Sequence, residues 1–202
     1  EGHGLREISG QLAAVRAAVR PFGAEMTNTV PMAMRAQPFN TYDMLNGDGR
    51  RQLPFHGIFQ WSRLSDFNRA YRALLDAEAT RLTGSQMNVI SVYSGISTNG
   101  LLFEPVILWP DVADAFHRRH SSAAALSKIK ATTPNLEARA YAADLRERIV
   151  ALMFEHGAVH MQIGKTYPYL RDRDPAQTAI LRTIKQAMDP LGLINPGALG
   201  LG

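Results

Sequence analysis

Two histidines, a glutamate and a glutamine are the residues whose types and spacing could move a proton. Alternation at period two sets Pro54, His56, Ile58 and Gln60 on one face of a strand-like stretch, and sets His160 with Gln162 on one face of another. Glu104 interrupts the apolar run Leu101-Leu102-Phe103-Glu104-Pro105-Val106-Ile107-Leu108-Trp109, where a carboxylate is costly unless it is paired, hydrogen-bonded or protonated. Two placements satisfy it. Either Glu104 faces solvent from the open side of a sheet, with Pro105 marking an edge or bulge, or Glu104, His56, His160 and Gln162 share one face as a site. In the second case Glu104 and His160 are the catalytic candidates, because burial and neighbours can tune such groups for acid–base chemistry, and His56 and Gln162 are the substrate contacts.

Other chemistries lack their defining residues. His117 and His120 stand on adjacent turns if helical, but Arg118 and Arg119 between them repel a cation and no third ligand is evident, so no metal site is expected. The chain has no Cys, which removes disulfides, thiolate nucleophiles and Cys-based zinc sites together and fits a reducing, cytoplasmic compartment. Neither a phosphate-cradling Gly loop nor a Gly-x-Ser-x-Gly elbow is present.

The elements that must position these residues follow from periodicity. Leu5, Ile8, Leu12, Val15 and Val19 recur at intervals of three and four and predict an amphipathic helix stopped by Pro21. Residues 27–50 hold Pro31, Pro38 and Asn46-Gly47-Asp48-Gly49 and read as a long, partly extended connection. A strand is expected from Leu53 to Trp61, then a helix capped by Ser65, carrying Phe67, Tyr71, Leu74, Leu75 and Leu82, and stopped by Gly84. Residues 86–96 and 101–109 read as strands joined by the hairpin turn Ser97-Thr98-Asn99-Gly100, with a short helix after Asp111 through His120. Pro134 opens a long helix whose Leu145, Ile149, Leu152, Met153 and His156 form one stripe, closed by Gly157. Residues 158–163 supply a fourth strand. Asp174-Pro175 then caps a last helix bearing Ile180, Leu181, Ile184 and Met188, which ends at Asp189-Pro190.

Strand, helix, strand, strand, helix, strand is the split βαβ order, so the fold class is α+β: a ferredoxin-like antiparallel sheet with its helices on one face, plus N-terminal and C-terminal helices. The boundaries fall at 1–50 for the N-terminal helix and connection, 51–170 for the ferredoxin-like domain, and 171–202 for the last helix and tail. In the 202 residues, 22 Lys+Arg against 18 Asp+Glu leave a net charge of only +4, without a basic run longer than a pair. Nucleic-acid binding is therefore not expected. No apolar run reaches the roughly 18 residues of a membrane span, and the opening Glu1-Gly2-His3-Gly4 lacks the pattern of a signal peptide. Because the chain opens without Met, it is read as a portion of a longer protein.

The tail carries the most information. Ile184-Lys185-Gln186-Ala187-Met188-Asp189-Pro190-Leu191-Gly192-Leu193-Ile194-Asn195-Pro196-Gly197 is a helix stop followed by two tight turns. It resembles the C-terminal signature of FAD-linked oxidases of the vanillyl-alcohol oxidase and p-cresol methylhydroxylase superfamily, which also includes glycolate oxidase and D-lactate dehydrogenase flavoproteins. Phe103-Glu104-Pro105 and Trp109-Pro110-Asp111 resemble the same family's substrate domain. The resemblance runs from about residue 50 to the end, and it implies a cap domain over a flavin, with FAD as cofactor and a separate FAD-binding domain or subunit as partner. A homo-oligomer is compatible with it.

The ending Asn195-Pro196-Gly197-Ala198-Leu199-Gly200 resembles the phenol-oxidising branch. The hydroxy-acid branch's Glu-His-Gly-Ile-Gly aligns with His160-Met161-Gln162-Ile163-Gly164, where only Ile-Gly remains. The phenol branch's Tyr-Arg pair is also missing, and Lys165, Tyr167, Tyr169 or Arg171 would take its place against an anionic oxygen. Asn195 would lie near the flavin, while Leu108 stands where some members carry a flavin-tethering Tyr. The implied function is the substrate-binding part of an FAD-dependent oxidoreductase passing a hydride from an alcohol or para-alkylphenol to flavin. The alternatives are a 2-hydroxy-acid flavin dehydrogenase and a non-catalytic ferredoxin-like binding or assembly module.

Overall fold

A computed structural model describes residues 4–36, 45, 48–96, 98–160, 162, 164–171 and 173–201. The chain divides into two units, Glu1–Thr41 and Tyr42–Gly202. The first holds α1 (Leu5–Val19), a 3-10 turn (Arg20–Phe22) and α2 (Thr29–Ala36). Arg16 pairs with Glu25 at 2.6 Å, bringing the chain after the turn back along α1. The expected extended connection is thus corrected at its start. Asn28 C=O accepts from Met32 N at 2.9 Å, and Pro31 falls in the first helical turn, where a missing N–H costs nothing. Pro38 and Asn46-Gly47 lie outside the described residues.

The second unit is an antiparallel sheet under helices, the α+β class expected. Its elements are β1 (Arg51–Pro54), β2 (Gly57–Gln60), α3 (Trp61–Ala77), α4 (Ala79–Gly84), β3 (Asn88–Ile96) and β4 (Gly100–Trp109), then α5 (Ala115–His120), α6 (Ala123–Leu126), α7 (Leu136–Glu155) and α8 (Pro175–Met188). Both β1 and β2 pair with one edge of β4 in a single continuous register, Arg51 opposite Trp109 through Gln60 opposite Gly100, and β3 pairs with its other edge. β1 and β2 are therefore two halves of the first strand. Val159 adds a bridge to Ile58 on the outer side, completing the split βαβ order.

Alternation along β4 makes the layers. Leu101, Phe103 and Ile107 are buried on one face, joined by Phe59, by Phe67 and Tyr71 of α3, and by Leu145, Ile149 and Met153 of α7. The two long helices thus pack on the same side, as their stripes require. Phe103 is the centre of this core: the rings of Phe67, Tyr71 and Tyr93 stand 4.9–5.0 Å from it. The opposite face carries Glu104 and Val106 of β4 and Ile90 and Val92 of β3, the last two 47% and 40% exposed.

Three expectations are corrected. The helix expected at Ser65 begins at Trp61, with Gln60 in the N-cap position, since β2 passes directly into α3. α4 is closed by Gln86 rather than Gly84: Gln86 takes φ +53 while its N–H reaches Thr83 C=O and the Met87 N–H reaches Leu82 C=O, a left-handed cap that buries Met87. Pro105 marks neither an edge nor a bulge, being buried in the central strand. Of the fourth strand expected over 158–163, Met161 and Ile163 lie outside the described residues, and the described ones hold the bridge at Val159, for a reason that lies at His56. No described helix is long and apolar enough to cross a membrane.

Candidate functional site

The site grows from a missing rung. Phe55 N–H donates to Pro105 C=O at 3.2 Å, but Pro105 has no N–H to return, and the ladder lapses at Phe55 and His56. Backbone groups alternate sides along a strand, so His56 turns its N–H and C=O outward. There the Tyr167 hydroxyl takes the N–H at 2.8 Å, and His160 Nδ1 donates to the C=O at 2.5 Å. One residue pair further along, Ile58 and Val159 exchange backbone bonds of 2.8 and 2.9 Å. Side chains have replaced the fourth strand at the very position where a backbone rung would otherwise continue. The Tyr167 hydroxyl also reaches His56 Nδ1 at 3.0 Å.

Rings close the cluster. His160 stacks on Tyr167 with centroids 4.0 Å apart and planes 19° from parallel, and Phe154 of α7 lies 4.8 Å away. Burial among these rings pulls the His160 imidazole down to about 4, and its Nε2 has no hydrogen-bond partner among the described residues. His56 is lowered by burial, with the Glu104 carboxylate opposing, and Tyr167 is raised by burial. Glu104 stands opposite Val92 in β3, and the register of β1 and β2 carried through the gap sets His56 opposite it on the other side. Beside this cluster opens a cleft of about 300 Å³, lined by His160 and Tyr167 together with Gln162, Tyr169, Arg171 and Arg173.

Most of the candidates from sequence therefore meet here. His56, His160 and Tyr167 touch one another, Gln162, Tyr169 and Arg171 line the adjoining cleft, and Glu104 acts on His56 and Tyr167 electrostatically. Lys165 and Asn195 lie apart, on the loop and tail that dock together: Leu199 N–H donates to Gly164 C=O at 2.7 Å, and Lys165 runs beside Gly197. Asn195 takes φ +44 in the tail turn, where its C=O accepts from Ala198 N–H. Asp189 organises this turn, accepting from Leu193 and Ile194 N–H at 2.8 and 2.9 Å and pairing with Lys185. Sequence reasoning missed Phe154, on the flank of the α7 stripe, and Arg173, whose guanidinium lies 4.4 Å over the Tyr169 ring.

A second polar cluster was also missed. Asp111, 1% exposed, accepts from Arg139 at 2.6 and 3.0 Å, from Arg51 at 3.2 Å, and from the N–H groups of Val112 and Asn135. These bonds hold its carboxyl well below the usual carboxylate range despite burial. Arg51 continues to Asp114, which also meets His117 Nδ1 at 2.6 Å. His117 is thus committed to an ion-pair network tying β1 and the end of β4 to α5 and α7. No group of three or more His, Asp or Glu suited to a metal occurs among the described residues.

Residues 124–199, spanning α7, the cleft loop, α8 and the tail, match the family model described as FAD linked oxidases, C-terminal domain. The match supports an FAD-linked oxidase C-terminal domain over this stretch. It contains His160, Gln162, Lys165, Tyr167, Tyr169, Arg171 and Asn195, while His56 and Glu104 precede it. Curated proteins give no match, and solved structures give none either.

Proposed function

We propose that this chain is the substrate-binding portion of an FAD-dependent oxidoreductase that oxidises an alcohol or a para-alkylphenol, working against an FAD-binding domain or subunit. The observation that carries the reading is the His56–Tyr167–His160 cluster beside its cleft, set largely within the segment that matches FAD linked oxidases. The open sheet face fits a flavin-bearing partner: Ile90 and Val92 are half exposed beside Glu104, apolar surface that an aromatic ring system could cover. When bound, FAD would accept the electrons of the oxidation.

The chain's own residues would divide the remaining tasks. Glu104, across from His56, holds or takes the substrate proton. His160, kept neutral at physiological pH by burial, is a hydrogen-bond acceptor toward a hydroxyl rather than a strong base. Gln162, Tyr169 and Arg171 orient the substrate along the cleft, and Asn195 with Lys165 fix the tail that returns toward the flavin side. The arginines at the cleft also favour a second reading, a 2-hydroxy acid whose carboxylate they would meet. Glu104→Gln in the flavin-containing enzyme tests the assignment. It removes the ionisable proton while keeping volume, so turnover should fall by roughly a hundredfold with KM changed much less. Unchanged turnover would remove Glu104 from the chemistry.

A further inference from the structure

The two edges of the sheet are finished differently. On the β1 and β2 side the edge is closed by the Val159 bridge and by the Tyr167 and His160 side chains. On the other side β3 pairs with β4 from Asn88 opposite Leu108 to Ile96 opposite Gly100, and among the described residues it has no second strand. The register advances one residue at a time, so no bulge twists this edge away. Residues Asn88–Ile96 include no charged residue and no proline, the devices that keep an edge from pairing with another chain. All but Val89 and Ile96 are exposed. Such a strand offers a row of N–H and C=O groups that another strand can take up.

We propose that β3 is the seam of a two-fold homodimer, pairing antiparallel with β3 of a second copy about Ser91 and joining the two sheets into one. The side chains choose both occupant and register. Cross-strand neighbours share a face, so Val89, Ser91 and Tyr93, opposite Ile107, Pro105 and Phe103, lie on the helix side, and Ile90 and Val92 on the open side. Centred on Ser91, the pairing sets Val89 against the second copy's Tyr93 and Ile90 against its Val92, an aromatic and a β-branched pair of the kind that stabilises antiparallel strands. Moving the axis to Val92 sets Val89 against Gly95 and Ile90 against Ser94, which loses both. With no charge in β3, a copy meets no like charge when it pairs with itself. The contact closes after two copies, since each β3 has one open edge. It uses the strand's edge and not the open face, and the cleft borders the opposite edge of the sheet, so it stands independently of the flavin reading.

Size-exclusion chromatography with light scattering, run on the chain over a concentration series, tests the proposal without substrate or flavin. Wild type should run at twice the monomer mass. Ile90→Lys with Val92→Lys sets ammonium groups directly opposite each other on both sides of Ser91, and should leave a monomer that still melts cooperatively. Ile90→Glu with Val92→Lys sets opposite charges there and should keep the dimer. Both variants place their changes on the exposed face, where Val92 stands opposite Glu104 within its own sheet. The chain has no Cys, so Ser91→Cys supplies one thiol per copy, and mild oxidation should link the copies. Ser94→Cys, roughly 20 Å from its counterpart in this register, should not link them. A wild-type chain that stays monomeric leaves the edge to a strand of another protein and overturns the proposal. So does a dimer that survives the first double variant, a dimer lost equally in both, or a cross-link through Ser94→Cys and not through Ser91→Cys.

Discussion

His160 gives the chain a pH dependence whose sign is fixed. In the unfolded chain its imidazole takes a proton near the ordinary 6.5, and in the folded chain not until about 4. Between those values the unfolded state binds more protons, so stability falls as pH drops from about 6.5 to about 4, and this group contributes no further loss below that. The loss from His160 should be of the order of 1–2 kcal/mol once solvent screening of a half-buried ring is allowed for. Urea midpoints across that range should show it, and His160→Gln should flatten the curve without erasing it, because His56 is shifted the same way. Asp111 belongs to the same scale. Asp111→Asn leaves Arg51 and Arg139 facing a neutral amide at the buried end of the sheet, and should cost about 3 kcal/mol in chemical denaturation. Neither cluster was fully legible from sequence, because its members are far apart in the chain: Tyr167 is 111 residues from His56, and Arg51 is 60 from Asp111. Periodicity reports which residues share a face of one element and says nothing of which distant hydroxyl will cap it.

Elements with a strong period were legible and those set by tertiary contact were not. The stripes of α1, α3, α7 and α8 and the β3–β4 hairpin follow from spacing, and Gly157 ends α7 with φ +77 as a glycine stop should. Gln86 ends α4 in the same left-handed region with no such signal, since only the burial of Met87 behind it requires the turn there. The two caps give opposed predictions. Gln86→Gly should stabilise by about 0.5–1 kcal/mol, and Gly157→Ala, which meets no steric obstacle, should destabilise by about 1–2 kcal/mol through backbone strain alone. Thermal melts of the two variants against wild type measure both. Among the described residues of 158–163 the strand-like composition yields a bridge at Val159, and the neighbouring edge offers its next backbone groups to the side chains of His160 and Tyr167. Pro105 suggested an edge and instead sits centrally, tolerated because its missing N–H faces the one gap in the first strand.

At the scale of the whole molecule, one sheet face is filled by α3 and α7 and the other presents Ile90, Val92 and Glu104. The open face, the cleft and the match of residues 124–199 to FAD linked oxidases support the proposal that this chain forms one wall of a flavin site. Alone it should bind FAD weakly, because the pyrophosphate of such a cofactor is held by backbone N–H groups of a glycine-rich turn, which its sequence lacks. A flavin-fluorescence titration showing micromolar or tighter binding by the isolated chain would contradict this. The most direct measurement of the central claim is anaerobic flavin reduction in the assembled enzyme, followed by loss of flavin visible absorbance after mixing with an alcohol or a para-alkylphenol. Reduction should require this chain and should slow by roughly a hundredfold in Glu104→Gln. Reduction at the same rate by the flavin-bearing partner without this chain would contradict the account.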